Sequence, residues 1–284
     1  MKKILRRILG ILKKNRFIKR KLKSVKDRVV RYIDNERMSR EIYNYNLFYP
    51  SIDEYHSQLT DKPTEKDPLI SILLPTYNTN IQYLHECIMS IIRQSYTKWE
   101  LCIADDNSTD PDVVRVIKQY SKKDERIKYT IRKKNGHISA ATNSALALAS
   151  GTYVALMDHD DILWPNALHE IVKIIRADQH VDFIYTDEAK IDSSGKVHSY
   201  PFLKPDYSPE FLESCNYITH FSCIRTSVVK GIKGFTIGVE GAQDWDLFMR
   251  VCDTTKLIVH IPKILYSWRI HESSTAVSAA VELS

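Results

Sequence analysis

From residue 69 onward the chain alternates short apolar runs with longer amphipathic ones, and polar clusters follow several of the apolar runs. Residues 69–74 read as a buried strand that stops at Pro75. A helical pattern covers 81–94, with Leu84, Ile88, Ile91 and Ile92 on one side. Residues 100–104 read as a second strand, 111–121 as a helix and 127–131 as a strand. The Ala-rich run 139–150 predicts a helix with Gly151 as its C-cap. A strand follows at 153–157, Pro165 opens another helix as an N1 proline, and 181–186 is again a strand. Such alternation implies right-handed βαβ units, hence an α/β fold with a Rossmann-like, mainly parallel sheet flanked by helices. At 284 residues and 43% apolar content, the chain suffices for one large domain of that kind with an appendage.

The appendage is marked by charge. Residues 1–31 hold 14 Lys and Arg against one acid, Asp27, whereas the remainder carries a net charge of −7. Ile4, Leu5, Ile8, Leu9, Ile11 and Leu12 cluster towards one helical face, with Lys and Arg around them. The pattern predicts a basic amphipathic helix lying on an anionic membrane surface, with a solvated helix or a disordered tail as the plainer reading. With an acidic body, nucleic acid is not an expected partner. No secretory signal follows the basic start, and no apolar run is long enough to span a bilayer. The five cysteines are scattered, form no C-x-x-C pair, and read as reduced core thiols of a cytoplasmic protein peripheral to the inner membrane face. Residues 32–68 form a Tyr-rich linker expected to pack on the core, 69–276 the main α/β domain, and 277–284 a tail.

In open parallel sheets, ligands bind outside the carboxyl ends of the strands. The first strand ends in Pro75-Thr76-Tyr77-Asn78, the second in Asp105-Asp106-Asn107-Ser108, the fourth in Asp158-His159-Asp160-Asp161. Topology would bring these distant clusters to one edge. Tyr77 offers an aromatic face for a base. Asp106, or its neighbour Asp105, can accept from the imide N–H of uracil or thymine. Asp158 and Asp160, two apart, can reach one hard cation that bridges to a diphosphate. Taken singly, each has a plainer reading as turn, cap or packing residue; their joint occurrence at three strand ends favours a site.

The runs 70–78, 99–108 and 151–161, in that order and spacing, resemble bacterial family-2 glycosyltransferases of the GT-A fold. The likeness extends to about residue 276 and is nearest to enzymes that build surface polysaccharides such as O-antigen, capsule and rhamnan. It implies that Thr76 and Tyr77 line the base pocket and that Asp106, with Asp105 beside it, contacts the base. Asp158 would lie near the donor ribose, and Asp160 would hold Mn²⁺ or Mg²⁺. The segment 136–143 resembles one whose helix start faces the donor, although Thr142 stands where many members have Arg. Tyr185-Thr186-Asp187-Glu188 and Phe202-Leu203-Lys204-Pro205-Asp206 resemble a pattern of the polysaccharide-building subgroup. In 240–247, Gln243-Asp244 stands where the family has Glu-Asp, so Asp244 inherits the role of catalytic base, and Asp246 suits a helix-positioning role. In the closing motif 266–275, His271 would approach the metal or diphosphate, and Arg269 and Ser274 the phosphates. Trp245 and His220 are the residues expected at the acceptor.

The resemblance thus implies an inverting transfer from a nucleoside-diphosphate sugar of UDP or dTDP type to a hydroxyl of a glycan or lipid-linked glycan. Two alternatives have the same sheet. A sugar nucleotidyltransferase should carry a Gly-rich basic loop after the first strand, and Pro75-Thr76-Tyr77-Asn78 is not one. A non-catalytic nucleotide-sugar-binding module would not need the full set of carboxylates. A P-loop enzyme is excluded, since G-x-x-x-x-G-K does not occur.

Overall fold

The computed structural model describes residues 63–195 and 198–271. The basic arm 1–31, the linker up to residue 62, Ser274 and the tail 277–284 lie outside the described residues. The amino-terminal half is built from β1 (Ile70–Thr76), α1 (Ile81–Ile92), β2 (Trp99–Asp105), α2 (Pro111–Lys123), β3 (Ile127–Ile131), α3 (His137–Leu148) and β4 (Tyr153–Leu156). The second half adds β5 (Ile162–Leu163), α4 (Ala167–Ala177), β6 (Phe183–Ile191), β7 (His198–Phe202), α5 (Pro209–Ser214), β8 (Ser222–Arg225), α6 (Thr226–Gly231), α7 (Gln243–Thr254) and β9 (Ile258–Arg269). Among the described residues these strands make one sheet in the order β3-β2-β1-β4-β8-β6-β9-β5, with β7 on β6.

The pairing is parallel through β3, β2, β1 and β4, then antiparallel where β8 joins β4 and β6. β6 and β9 run parallel to one another, and the two-residue β5 pairs antiparallel with β9. The expected parallel sheet therefore describes the first half, and the second half is mixed. Parallel neighbours end on the same side, so the ends of β2, β1 and β4 share one edge.

Alternation along the strands sorts the core into two layers. Ile70, Ile72, Leu74, Leu101 and Ile103 face α1, α2 and α4, packing with Leu84, Ile88, Val113, Ile117, Leu168 and Ile171. Leu73, Cys102, Ala104 and Val154 face the other way, onto Ala145 of α3, Val229 of α6 and Leu247, Phe248 and Val251 of α7. Both faces of the central strands are covered, which is why these strands read as continuous apolar runs. Each fully buried Leu or Ile contributes about 1.5–3 kcal/mol from removal of apolar area from water. Four of the five cysteines are buried in these layers, and all five are free thiols.

Three local expectations are corrected. β1 continues past Pro75 to Thr76, because pairing with β4 ends at Leu73 and the missing N–H is not needed there. Pro165 precedes α4 rather than opening it, since the N-cap is Asn166. Gly151 is not the cap of α3, whose C-cap is Ala149. Its N–H donates to Ser71 Oγ at 2.8 Å. A Cβ at position 151 would stand 2.5 Å from the Leu69 carbonyl oxygen. Only glycine admits this approach of two strand backbones.

Beside that contact, Glu100 is buried on β2 and accepts from Ser71 Oγ (2.6 Å), Lys128 Nζ (2.6 Å), Ser150 N (2.6 Å) and Ser150 Oγ (2.8 Å). Burial alone would raise its carboxyl, but these donors outweigh it and bring the pKa from 4.5 to about 2. A depressed folded-state pKa gives stability that is present above the unfolded value and lost as pH falls between about 4.5 and about 2. The full shift corresponds to about 3 kcal/mol as a ceiling, reduced because Lys128 is partly in solvent. Glu100→Gln is therefore expected to lose about 1–2 kcal/mol at pH 7, by urea unfolding, with the deficit closing near pH 2.5. An equal deficit at both pH values would contradict the ionised role of this carboxylate.

Candidate active site at the carboxyl edge of the sheet

β4 ends at Leu156, and the chain turns through Met157, Asp158, His159, Asp160 and Asp161 before β5. The turn is anchored by its last acid. Asp161 is fully buried and accepts from Tyr266 Oη at 2.6 Å and from the Arg269 backbone N–H at 2.7 Å, both on β9. Burial raises the Asp161 carboxyl well above its usual value, and the neighbouring Asp160 and Asp158 charges add to this. Sequence reasoning gave Asp161 no task. Its one signal was a third acid in a turn that needed only two.

Asp158 and Asp160 flank this anchor. The Asp158 side chain is 40% exposed, and its Oδ2 lies 3.6 Å from His220 Nε2. Its carboxyl is raised, first by desolvation within the cleft and then by Asp160 and Asp244, with the His220 ring opposing. Asp160 Oδ2 lies 2.7 Å from His271 Nε2. Desolvation raises Asp160, but His159 and His271 more than offset it, and the net direction is downward. Here the expected metal pair, Asp160 and His271, stands together. A second grouping, Asp158, Asp161 and His220, has ligand atoms within 4.8 Å of one another. Asp161 is committed in that group to Tyr266 and Arg269, which leaves Asp160 with His271 as the better-disposed pair for a hard cation. Carboxylate oxygens with one imidazole suit Mn²⁺ or Mg²⁺.

Asp244 sits in the first turn of α7, whose N-cap is Ala242. It is therefore not a cap. Its Oδ2 accepts from Asn216 Nδ2 at 2.8 Å. Asp246 pairs with Arg250 one turn on, at 2.7 Å, as expected of a helix-positioning acid. Trp245, expected at the acceptor, gives its indole N–H to the Leu212 carbonyl at 2.7 Å and packs on the second core layer. His220 does face the cleft. Its ring stacks on Tyr266 at 4.8 Å and lies 6.3 Å from Trp268.

At the end of β1, Tyr77 is 44% exposed and presents an open ring face. Thr76 and Asp105 are enclosed. Asp105 accepts from Ser108 Oγ (2.5 Å), Ser108 N (3.0 Å) and Thr76 Oγ1 (3.4 Å), which makes the pair the frame of the loop rather than a surface for the base. Asp106 is 2% exposed and accepts from the Gly136 N–H, with Arg132 Nε at 2.6 Å. Asp106 thus ties the start of α3 to the β2 end, next to Tyr77. Within α3, Asn143 exchanges two hydrogen bonds with the backbone of Phe235.

Arg269 was expected at the phosphates. Its side chain is 0% exposed, with Nε on the Asp160 carbonyl (2.6 Å), Nη2 on Glu86 (2.5 Å) and Nη1 at the Asp192 and Ser193 carbonyls. The guanidinium also lies 4.4 Å over the Tyr83 ring. These contacts make Arg269 a clamp on the Asp160 turn in place of a phosphate ligand.

The residues of the subgroup pattern, left without tasks by sequence reasoning, form a network beneath His220. Glu188 and Lys204 are a buried ion pair at 3.1 Å. Asp187 Oδ1 accepts from the Lys204 N–H at 2.9 Å and meets His260 Nε2 at 2.8 Å. A separate hollow of about 640 Å³ at the amino edge of the sheet, lined by Asp67, Lys98, Tyr153 and Arg176 among others, includes none of the site residues.

Residues 71–232 match the family described as Glycosyl transferase family 2. The uncharacterized protein y4gI of Sinorhizobium fredii is 44% identical over 216 residues, 75% of this chain and 24% of that protein. The O-antigen biosynthesis protein RfbC of Myxococcus xanthus is 34% identical over 213 residues, 75% of this chain and 17% of that protein. The chain thus spans no more than about a quarter of the length of these relatives. Residues 1–349 of S. aureus TarS, crystallised with UDP-GlcNAc, superpose with a TM-score of 0.62 at 21% identity, over 72% of this chain and 59% of that one. That likeness concerns the fold, which is GT-A. With over half of its residues matched by the family, the chain belongs to glycosyl transferase family 2.

Proposed function

We propose that this chain transfers a sugar, with inversion, from a UDP- or dTDP-type nucleoside-diphosphate sugar to a hydroxyl of a glycan or lipid-linked glycan in bacterial surface-polysaccharide synthesis. The observation that carries the reading is geometric: the turn after β4 brings Asp160 to His271 at 2.7 Å and Asp158 to His220 at 3.6 Å, and Asn216, four residues before His220, holds Asp244 at 2.8 Å. A base and a diphosphate-side carboxylate in one cleft are what a single displacement needs. The O-antigen role of the Myxococcus relative and the UDP-GlcNAc of the staphylococcal structure support the same class of substrates. Family membership removes the nucleotidyltransferase alternative. A binding module without catalysis would retain donor affinity and transfer nothing.

In this reading Tyr77 stacks on the base, and Asp106, just past the end of β2, contacts it. Asp158 faces the ribose. Asp160 and His271 would hold Mn²⁺ or Mg²⁺, and such an ion when bound offsets charge on the diphosphate. Asp244 accepts the proton of the acceptor hydroxyl as its oxygen bonds to the anomeric carbon. The bond from that carbon to the diphosphate oxygen breaks as the new one forms, and attack from the opposite face inverts the centre. Asn216 holds the Asp244 carboxylate at 2.8 Å and so orients it for the proton.

Asp244→Asn preserves the shape of the side chain and removes its basicity. It is expected to bind donor as the parent does, by calorimetry, and to lose about 10²–10⁴ in turnover. Transfer at the parental rate would remove Asp244 from the mechanism. Asp160→Ala is expected to abolish Mn²⁺ binding, read by the electron paramagnetic resonance of the free ion, and to lower donor affinity in Mn²⁺ at least tenfold. Unchanged titrations would exclude Asp160 as a ligand.

The basic arm supports a place on the inner membrane face. Fourteen cations in 31 residues are attracted to anionic lipid at about 1 kcal/mol each near the surface. No helix among the described residues is long and apolar enough to cross a membrane. The full chain is expected to sediment with vesicles containing 30% phosphatidylglycerol in low salt and to be released by about 0.5 M NaCl. Binding equal to that of a chain lacking residues 1–31 would sink this placement.

A further inference from the structure

The network beneath His220 has an uneven design. Glu188 and Lys204 are both enclosed, and a buried ion pair is a poor source of stability, because the desolvation of two charges rivals their attraction. What the pair does hold is a three-residue stretch of backbone. Lys204 Nζ donates to the Ile218 carbonyl at 2.5 Å and also to the His220 carbonyl. Glu188 Oε2 accepts from Thr219 Oγ1 at 2.8 Å and from the His220 N–H at 3.0 Å. Thr219 lies at φ +39°, in the left-handed region that a β-branched residue occupies only when its surroundings impose it. Beyond the clamp, His220 stacks on Tyr266 and brings Nε2 to 3.6 Å from Asp158 Oδ2. Tyr266 in turn holds Asp161 through its hydroxyl.

We propose that the Glu188–Lys204 pair is a positioning device for the donor site: it fixes the backbone at 218–220 so that His220 meets Asp158 and sets the aim of that carboxylate. The proposal rests on the functional reading above and gives tasks to two residues that touch no substrate. It follows that the pair serves catalysis more than stability, and the two can be separated. Replacing both partners by apolar residues of similar volume removes the desolvation cost and the clamp together.

The test uses the full chain carrying Lys204→Met with Glu188→Leu, alone and combined with His220→Ala. Thermal midpoint, kcat and donor KM are measured with whichever of a panel of UDP- and dTDP-sugars the parent transfers. The double variant is expected to melt within a few degrees of the parent or above it. Its kcat/KM should fall at least tenfold, mainly through donor KM. Adding His220→Ala should cost no more than His220→Ala alone, because both changes break one chain of contacts. A folded double variant with parental kcat/KM, or losses that multiply in the combined variant, would overturn the proposal. If the double variant does not fold, Thr219→Val deletes one clamp bond without disturbing the charges. A rise in donor KM of threefold or more supports the device, and an unchanged KM overturns it. A parent that neither binds nor transfers any of these sugars sinks the functional reading and the device with it, whereas an active parent with indifferent variants sinks the device alone.

Discussion

The Asp161 carboxylate joins the two halves of the molecule. It belongs to the turn after β4, which closes the parallel half of the sheet, and its two hydrogen bonds reach Tyr266 and Arg269 of β9 in the mixed half. Without that link the β4 turn would be tethered mainly at its start. With it, Asp158 and Asp160 project from a segment fixed at both ends, and Arg269 adds a third attachment through the Asp160 carbonyl. Burying a carboxylate beside two others is unfavourable, as the raised Asp161 carboxyl records. The fold tolerates this because two good donors meet the group, and in exchange the half-buried Asp158 and Asp160 stand on an anchored turn. Preorganised side chains of this kind do not have to be ordered when a ligand arrives.

Much of the amino-terminal half was legible in the sequence, because its signals are local. Strands β1 to β4 and helices α1 to α3 follow each other with short connections, and each strand pairs with a neighbour in that run. Polar clusters at their ends could therefore be placed on one edge without knowing the rest. Asp158, Asp160 and Tyr77 stand where that reasoning put them. The second half resisted the same treatment. β8 inserts antiparallel between β4 and β6, and β9 pairs with a strand that precedes it by about seventy residues. No periodicity in a window of ten residues reports such a choice of partner.

Within the site, sequence spacing located residues but not the direction of their side chains. Asp105 and Asp106 are adjacent, and both looked available to a base; the first is wrapped by Ser108 and Thr76, and the second holds the start of α3. Arg269 was expected at the phosphates because it belongs to a motif that resembles the family's closing one, and the structure turns it inward onto carbonyls. An arginine with five donors satisfies several carbonyls at once, and only tertiary structure shows whether protein oxygens already fill that capacity. Glu188 and Lys204 were visible as part of a pattern with no stated purpose, since an ion pair sixteen residues apart becomes intelligible only when the backbone it encloses is known.

Gly151 has a reach longer than its size. It lies at the amino end of β4, against the Leu69 carbonyl, while Asp158 lies just past the other end of the same short strand. A strand is stiff along its length, so a methyl group that wedged β4 away from β1 at Leu69 would tilt the strand as a lever and swing the far turn sideways. Hydrogen bonds from Thr226 to the Gly151 and Thr152 carbonyls keep that fulcrum closed. The absence of a side chain on the side of the sheet remote from the cleft thereby governs where an acid points on the side that faces it.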